Sequence, residues 1–283
     1  MLRVPLALLA SATGCGRGDP PAPAGTPQDP PAPSIDRPAD GRVLLLGSAA
    51  GAGLASPVDR PDGAFDATFR ADGALAGASA AATVTGGARL DCGPACRALE
   101  LAGDAVASVG RLAGDLRIDG VAPPGSLVYA VGAVASAPPA TGVRRYRLDA
   151  ATAPFLRARA DGAEGEAGRI SAATLTVDLS GPVDLSLSGE VAGSGFVLAR
   201  RALLPTSALT PAVLFPPSPR FVCGLASDDL AFWGVAQGML VGDGGSHALA
   251  TLAIDVGPAI GATLGRAYAA TTIVVALRFV ALA

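Results

Sequence analysis

From Gly41 onward, the sequence consists of short runs in which apolar and polar residues alternate, separated by Gly, Pro and Asp. The clearest example is residues 174–188, where the alternation continues on both sides of the turn Ser180-Gly181-Pro182. A period of two places successive side chains on opposite faces of a strand, so each run can bury one face and expose the other. This stretch therefore predicts an antiparallel hairpin that packs on a core.

Other stretches repeat this pattern. Residues 64–70 alternate and are followed by Asp72-Gly73, which is typical of a tight hairpin turn. Residues 247–256 and 271–282 predict two further strands, and the second is apolar on both faces, as in a central or covered strand. Many short strands with Gly and Pro turns predict a mainly β fold, either an antiparallel β-sandwich or a small barrel.

The composition indicates the kind of organism the chain comes from and excludes one class of partner. Its 283 residues contain 37 Gly and 24 Pro, and all 21 basic residues are Arg, since the sequence has neither Lys nor Asn. AT-rich codons encode Lys and Asn, so this bias indicates a high-GC bacterial genome. The net charge of −3 provides no attraction for nucleic acid, and none is expected as a partner.

Two proline-rich stretches divide the chain. Pro is frequent in residues 16–40 and excludes regular pairing there, which predicts a disordered, extended tether. A second such stretch, residues 203–220, is interpreted as a linker or a crossing loop. An antiparallel β domain is expected at residues 41–202. The β-rich residues 221–283 either form their own domain or complete the first one.

The N-terminus has the features of an export signal. Arg3 precedes a short apolar run, and small residues lead up to Cys15. This stretch resembles a bacterial lipoprotein signal, in which the cysteine is acylated and becomes the mature N-terminus. The resemblance implies a signal peptide at residues 1–14, lipidation of Cys15 and a membrane partner held through that lipid. Gly16, where the family's sorting rule reads Asp as a retention signal, implies the outer membrane of a Gram-negative bacterium. An ordinary signal peptide and secretion remain the alternative.

Cysteines and histidine provide few candidates for chemistry. Cys92-Gly-Pro-Ala-Cys96 has one residue more than the thioredoxin loop and lacks its strand–helix context, so a local disulfide is expected, with Cys223 as the alternative partner. A metal site is not expected, because two thiols and one distant histidine form a poor ligand set.

The only histidine, His247, is expected to be a solvated strand residue. A Ser-His-Asp triad would have to use it. Ser194 lies far along the chain, and a strand would point Ser246 to the opposite face. The acidic run with Asp161, Glu164 and Glu166 is interpreted as a solvated loop. No catalytic residue and no cofactor are therefore predicted.

The densest basic run contains Arg144, Arg145, Arg147, Arg157 and Arg159. If the last four shared one face of two neighbouring strands, their guanidinium groups would grip a polyanion through paired hydrogen bonds. A solvated face with nearby carboxylates is the simpler interpretation. Trp233, next to Phe232, is expected in the core.

These observations predict an exported, lipid-anchored envelope protein with a binding or structural role and no enzymatic activity. It would face the periplasm or the cell exterior and contact an envelope protein or a polysaccharide. Two alternatives remain: an exported hydrolase whose acids come from distant strands, and a polyanion-binding module that uses the arginine run.

Overall fold

The computed structural model describes residues 32–48, 64–80, 89–137, 140–158, 163–200, 219–257 and 271–282. These ranges contain eighteen β-strands and one 3-10 turn at Asp243–Gly245. The predicted signal peptide, Cys15 and nearly all of the linker at 203–220 lie outside the described residues. The predicted mainly β fold is confirmed.

Eight strands form the N-terminal sheet, in the order β5-β6-β8-β1-β2-β3-β4-β7 with antiparallel pairing throughout. The predicted hairpin at Asp72-Gly73 is confirmed, because β2 and β3 pair across this turn. The eight strands of this sheet are β1 Gly41–Ser48, β2 Ala64–Phe69, β3 Leu75–Ala80, β4 Arg89–Cys92, β5 Arg97–Gly103, β6 Ala107–Ala113, β7 Leu116–Ile118 and β8 Leu127–Ala133.

Ten strands form the second sheet, and eight of them close into a barrel because β9 pairs with both β12 and β18. The other two, β10 and β11, form a hairpin attached to the edge of β18 beyond β9. The ten strands of the second sheet are β9 Val143–Ala151, β10 Phe155–Ala158, β11 Glu164–Ala167, β12 Arg169–Asp178, β13 Val183–Val191, β14 Ser194–Arg200, β15 Arg220–Ala226, β16 Phe232–Val241, β17 His247–Val256 and β18 Thr271–Ala281.

The hairpin predicted at 174–188 is confirmed, since β12 and β13 pair around residues 179–182. The C-terminal stretch supplies β15–β18, half of the strands that close the barrel. Residues 41–202 accordingly contribute to both sheets, and the change from one sheet to the other falls between β8 and β9.

The strand register gives the barrel two distinct ends. At the Leu230 end, residues 227–231 join β15 to β16. At the Gly242 end, residues 242–246 join β16 to β17, and the start of β9 lies beside them. Trp233 and Val241 are eight positions apart on β16, which corresponds to roughly 26 Å along the barrel wall.

Three groups of buried side chains hold the fold together. One fills the barrel interior, and a second lies under the N-terminal sheet. The third joins the two sheets: β6 and β8 pack on the outside of β16–β18 through residues that include Ala130, Met239 and Ala276. This contact covers the outer face of β18, so the prediction of a strand buried on both faces is confirmed.

The close contact between Gly238 and Phe221 allows the packing of the barrel interior to be tested by mutation. Phe221 on β15 lies against Gly238 on β16, and a Cβ at Gly238 would overlap its ring. We expect Gly238→Ala to lower the free energy of unfolding by about 1–3 kcal/mol, measured by urea denaturation. Gly195→Ala, where the nearest atom to an added Cβ is 3.9 Å away, is the control and should change it by about 0.5 kcal/mol or less. Equal losses would contradict the packing described here.

Candidate functional site

The predicted disulfide is present: Cys92 and Cys96 are bonded across the turn between β4 and β5. The backbone of this turn is held in addition by a hydrogen bond from the Gly93 amide to the Asp115 carbonyl, 2.8 Å long. Cys223 is buried inside the barrel wall instead of pairing with either residue. The bond therefore closes a local loop in the N-terminal sheet.

Of the four arginines proposed for a polyanion face, the three that the structure describes do not lie together. Arg145 and Arg147 are exposed on β9, but Arg157 is 0% exposed on β10 and lies beneath the N-terminal sheet. Arg159 lies outside the described residues. Neither the shared polyanion face nor the solvated face, which was the simpler interpretation, is correct for Arg157, because β10 leaves the barrel wall to pair with β11 and turns this side chain into the contact between the sheets.

Arg157 belongs to a buried network that we call the Glu164 cluster, formed by Glu100, Arg111, Ser126, Arg157 and Glu164. Glu164 accepts hydrogen bonds from the Ser126 amide at 2.5 Å, the Ser126 hydroxyl at 2.6 Å and Arg157 at 2.9 Å. It also pairs with Arg111, which in turn contacts Glu100. The prediction of a solvated loop was wrong for Glu164, whose carboxylate joins β6 to the β10–β11 hairpin.

Electrostatics in the Glu164 cluster favour a structural role. Burial opposes ionisation of Glu164, but hydrogen bonds from Ser126 and the charge of Arg111 outweigh it and lower its pKa to about 2. The guanidinium of Arg111 also lies 3.8 Å from the centre of the Phe155 ring, a cation–π geometry. A carboxylate so firmly ionised and occupied by donors is unsuited to exchange protons near neutral pH.

A second polar group, the His247 cluster, lies toward the Gly242 end and contains Asp104, Asp149, Ser246, His247 and Arg278. Arg278 pairs with Asp104 of the N-terminal sheet and Asp149 of the barrel. Its Nη2 is 3.0 Å from His247 Nε2, and His247 Nδ1 is 3.0 Å from the Ser246 hydroxyl. The expectation that Ser246 points away from His247 was wrong, because Ser246 precedes β17 and is not yet part of the strand.

This arrangement differs from a Ser-His-Asp triad in which ring nitrogen of the histidine carries the proton. An arginine only donates hydrogen bonds, so the network assigns a lone pair to His247 Nε2 and a proton to Nδ1. Nδ1 then donates to Ser246 and cannot accept the proton that a nucleophilic serine must lose. Ser194, the other serine considered, lies at the start of β14. The geometry therefore assigns His247 to the contact between the sheets.

Exposed apolar side chains mark the Leu230 end. The prediction of a buried Trp233 was wrong: Phe232 points into the barrel, and its neighbour Trp233 therefore points outward and is 44% exposed. Leu230 is 60% exposed and has a φ of 56°, a left-handed conformation that is rare for a leucine. We call Val197, Leu230 and Trp233 the Leu230 surface.

The turn that holds Leu230 is rigidly built. Asp229 accepts hydrogen bonds from the Ser227 hydroxyl at 2.5 Å and the Ala231 amide at 3.0 Å. The Leu230 amide donates to the Ser227 carbonyl, and the Phe232 amide donates to the Ser227 hydroxyl. These bonds fix the backbone on both sides of Leu230, so its exposed position is a defined feature of the fold.

A small pocket of about 230 Å³ lies where the N-terminal segment enters the fold. Residues 38–43 line one side, and residues 105–107 and 131–133 line the other. Its charged side chains, Asp40 and Arg42, lie at positions exposed to solvent, and Asp40 is occupied by Arg37 and the Phe69 amide. Within the described ranges, no three potential metal ligands converge, and no α-helix has the length and hydropathy of a membrane span.

Comparisons with known proteins give likenesses in structure but none in sequence. No family model and no curated protein match the chain. The chain is similar in structure to the isotype 1 transferrin binding protein B from serogroup B Neisseria meningitidis, with a TM-score of 0.40 and 9% sequence identity. The match covers 85% of this chain and 43% of that one, so the chain spans less than half the length of that protein.

The Glu164 cluster predicts a large effect of a small substitution. Glu164→Gln preserves the shape of the side chain but leaves Arg111 and Arg157 buried beside a neutral amide, so we expect a loss of about 3–5 kcal/mol in the free energy of unfolding. Glu190→Gln removes an exposed ion pair with Arg169 and should cost about 1 kcal/mol at most. Urea denaturation of both variants measures the difference, and similar losses would refute the role assigned to Glu164.

His247 predicts a pH dependence of stability. Burial and the charge of Arg278 lower the pKa of His247 below its ordinary value of 6.5. The unfolded chain therefore binds a proton more readily, so this contribution to stability is complete above pH 6.5 and is lost as the pH falls through the folded-state pKa. Urea denaturation of wild type and His247→Gln at several pH values should show this loss only in wild type. Parallel pH profiles would contradict it.

Proposed function

We propose that this protein is exported, anchored to the cell envelope by a lipid on Cys15, and binds a partner protein through the Leu230 surface. The signal resemblance at residues 1–15 supports export and lipidation, and Gly16 favours the outer membrane over retention at the inner membrane. The observation that carries the binding role is the exposed, strained and hydrogen-bonded position of Leu230 beside the only tryptophan in the chain.

The exposure of Leu230 is unfavourable for a chain without a partner. Its apolar side chain gains nothing from solvent, and its left-handed backbone is a strained conformation for a non-glycine residue. Strain of this kind persists where surrounding structure imposes it, and it is concentrated at binding and catalytic sites. Burial by a partner would recover the hydrophobic free energy that the free protein forgoes.

The chemistry around the Leu230 surface indicates the kind of partner. Tryptophan is enriched among the residues that contribute most to protein–protein binding, and it is most effective when the surrounding groups exclude water. Asp228 and Asp229 are exposed beside Leu230, and Asp255 lies across from Trp233 in the register of β16 and β17. A protein with an apolar centre and a basic rim would complement this surface.

One experiment tests both anchoring and binding. A photo-crosslinking residue replaces Leu230 in the full-length protein, produced in its own bacterium with Cys15 intact or as Cys15→Ser. We expect the Cys15 form to be in the membrane fraction with added acyl mass and to give a discrete crosslinked product. Cys15→Ser should lose the acyl mass and be released from the membrane fraction by a high-salt wash, which leaves the acylated form in place.

The control places the same crosslinker at Val121, which is 63% exposed on the N-terminal sheet. This position should not give the same product, and adding Trp233→Ser to the Leu230 variant should abolish it. A product common to both positions, or one indifferent to Trp233, would contradict the binding surface. Soluble, unacylated protein with Cys15 intact would contradict the anchor independently.

A further inference from the structure

We propose that a second surface, at the Gly242 end of the barrel, docks on an anionic lipid bilayer. We call it the β9 surface and define it by Val143, Arg145, Arg147 and Leu282. Its orienting role rests on the proposed lipid anchor, but its affinity for lipid can be measured without that anchor.

The register of the strands brings these residues together. Val143, Arg145 and Arg147 occupy alternate positions of β9 and point outward, since Tyr146 between them is buried inside the barrel. The Leu282 amide donates a hydrogen bond of 2.8 Å to the Arg145 carbonyl, which places Leu282 beside Arg145. Both aliphatic residues are well exposed, Val143 at 57% and Leu282 at 50%.

The backbone under the arginines is fixed on both sides. Arg147 is paired with Thr174 of β12 and with Val280 of β18, and Arg145 is paired with Thr176. The Cα atoms of Arg145 and Arg147 are therefore about 7 Å apart along a strand that cannot move independently. Two guanidinium groups at this spacing can each take a separate phosphate through paired hydrogen bonds.

The arginine charges of this surface are not neutralised by neighbours. Arg145 and Arg147 form no ion pair within the part of the chain that the structure describes. The next outward carboxylate on β9, Asp149, is held by Arg278. Asp178, across from Val143, accepts hydrogen bonds from Ser180 in the following turn.

The aliphatic residues favour a lipid surface over a polysaccharide. An acidic polysaccharide would satisfy the arginines but would gain little from Val143 and Leu282. At a bilayer, exposed aliphatic side chains enter the interface while neighbouring basic groups attract anionic headgroups, and both terms strengthen binding. The protein as a whole has a net charge of −3, so attraction to anionic lipid must come from this local cluster.

The path of the N-terminal segment agrees with an orientation in which the Gly242 end of the barrel faces the membrane. Residues 38–41 line the pocket together with Val106 and Ala133. The Gly242 amide donates to the Ala133 carbonyl at 3.1 Å, which places the pocket at the Gly242 end of the barrel. The chain thus enters its folded part at the end that carries the β9 surface.

The test uses residues 16–283, the proposed mature chain without the acylated cysteine, since Ala32–Ala283 fall into one structural unit. Flotation with phosphatidylcholine vesicles, with and without phosphatidylglycerol, measures binding over a series of salt concentrations. We expect binding that requires phosphatidylglycerol and weakens as salt rises. Arg145→Ala combined with Arg147→Ala should reduce it about tenfold or more.

Two further double variants make the result specific. Arg89→Ala with Arg117→Ala removes the same charge from exposed positions on the N-terminal sheet and should change binding by about twofold or less. Val143→Ser with Leu282→Ser keeps every charge and should weaken binding about fivefold while preserving its salt dependence. Thermal unfolding of each variant verifies that the fold is intact.

Any of three outcomes would overturn the proposal. The first is vesicle binding that is absent or independent of phosphatidylglycerol, and the second is an equal contribution from both arginine pairs. The third is retention on heparin that needs the arginines but is unaffected by Val143→Ser with Leu282→Ser, accompanied by no vesicle binding, which would assign the surface to a polysaccharide. None of these outcomes bears on acylation of Cys15, which the fractionation experiment decides separately.

Discussion

The contact between the N-terminal sheet and the barrel determines the rest of the structure. Its centre is apolar and includes the small side chains of Ala107, Ala130 and Ala276. Toward one end it is bounded by the Glu164 cluster, where one carboxylate lies between Arg111 and Arg157. Toward the other it is bounded by the His247 cluster, where the buried Arg278 lies between Asp104 and Asp149. The apolar centre supplies most of the free energy, while the charged groups tolerate few other alignments of the two sheets.

This contact explains why the candidate functional groups lie outside it. The barrel interior is filled by buried side chains, and the N-terminal sheet covers much of the outer face of β16–β18 but leaves Trp233 exposed. What remains for recognition is the uncovered outer wall and its two ends. The Leu230 surface lies at one end and the β9 surface at the other, so a protein anchored by its N-terminal segment would present Leu230 and Trp233 away from the membrane.

The sequence predicted the elements whose stabilising contacts are local. Alternation and turn residues located the hairpins at 64–80 and 174–188, because neighbouring strands pair across short turns. The sequence-based predictions were wrong where contacts between distant parts of the chain determine whether a residue is buried. Arg157 and Glu164 resemble surface residues until Ser126 and Arg111, brought from the other sheet, surround them. Trp233 was assigned to the core by its hydrophobicity, although its position next to the inward Phe232 in a strand already required it to point outward.

The orientation of the barrel is tested most directly by quenching of tryptophan fluorescence in vesicles whose lipids carry brominated acyl chains. The full-length protein with Cys15 intact is reconstituted in its wild-type form, where Trp233 is the only tryptophan, and as Val143→Trp combined with Trp233→Phe. The account predicts strong quenching of the tryptophan at position 143 and little quenching of Trp233. Strong quenching of Trp233, or equal quenching at both positions, would contradict it.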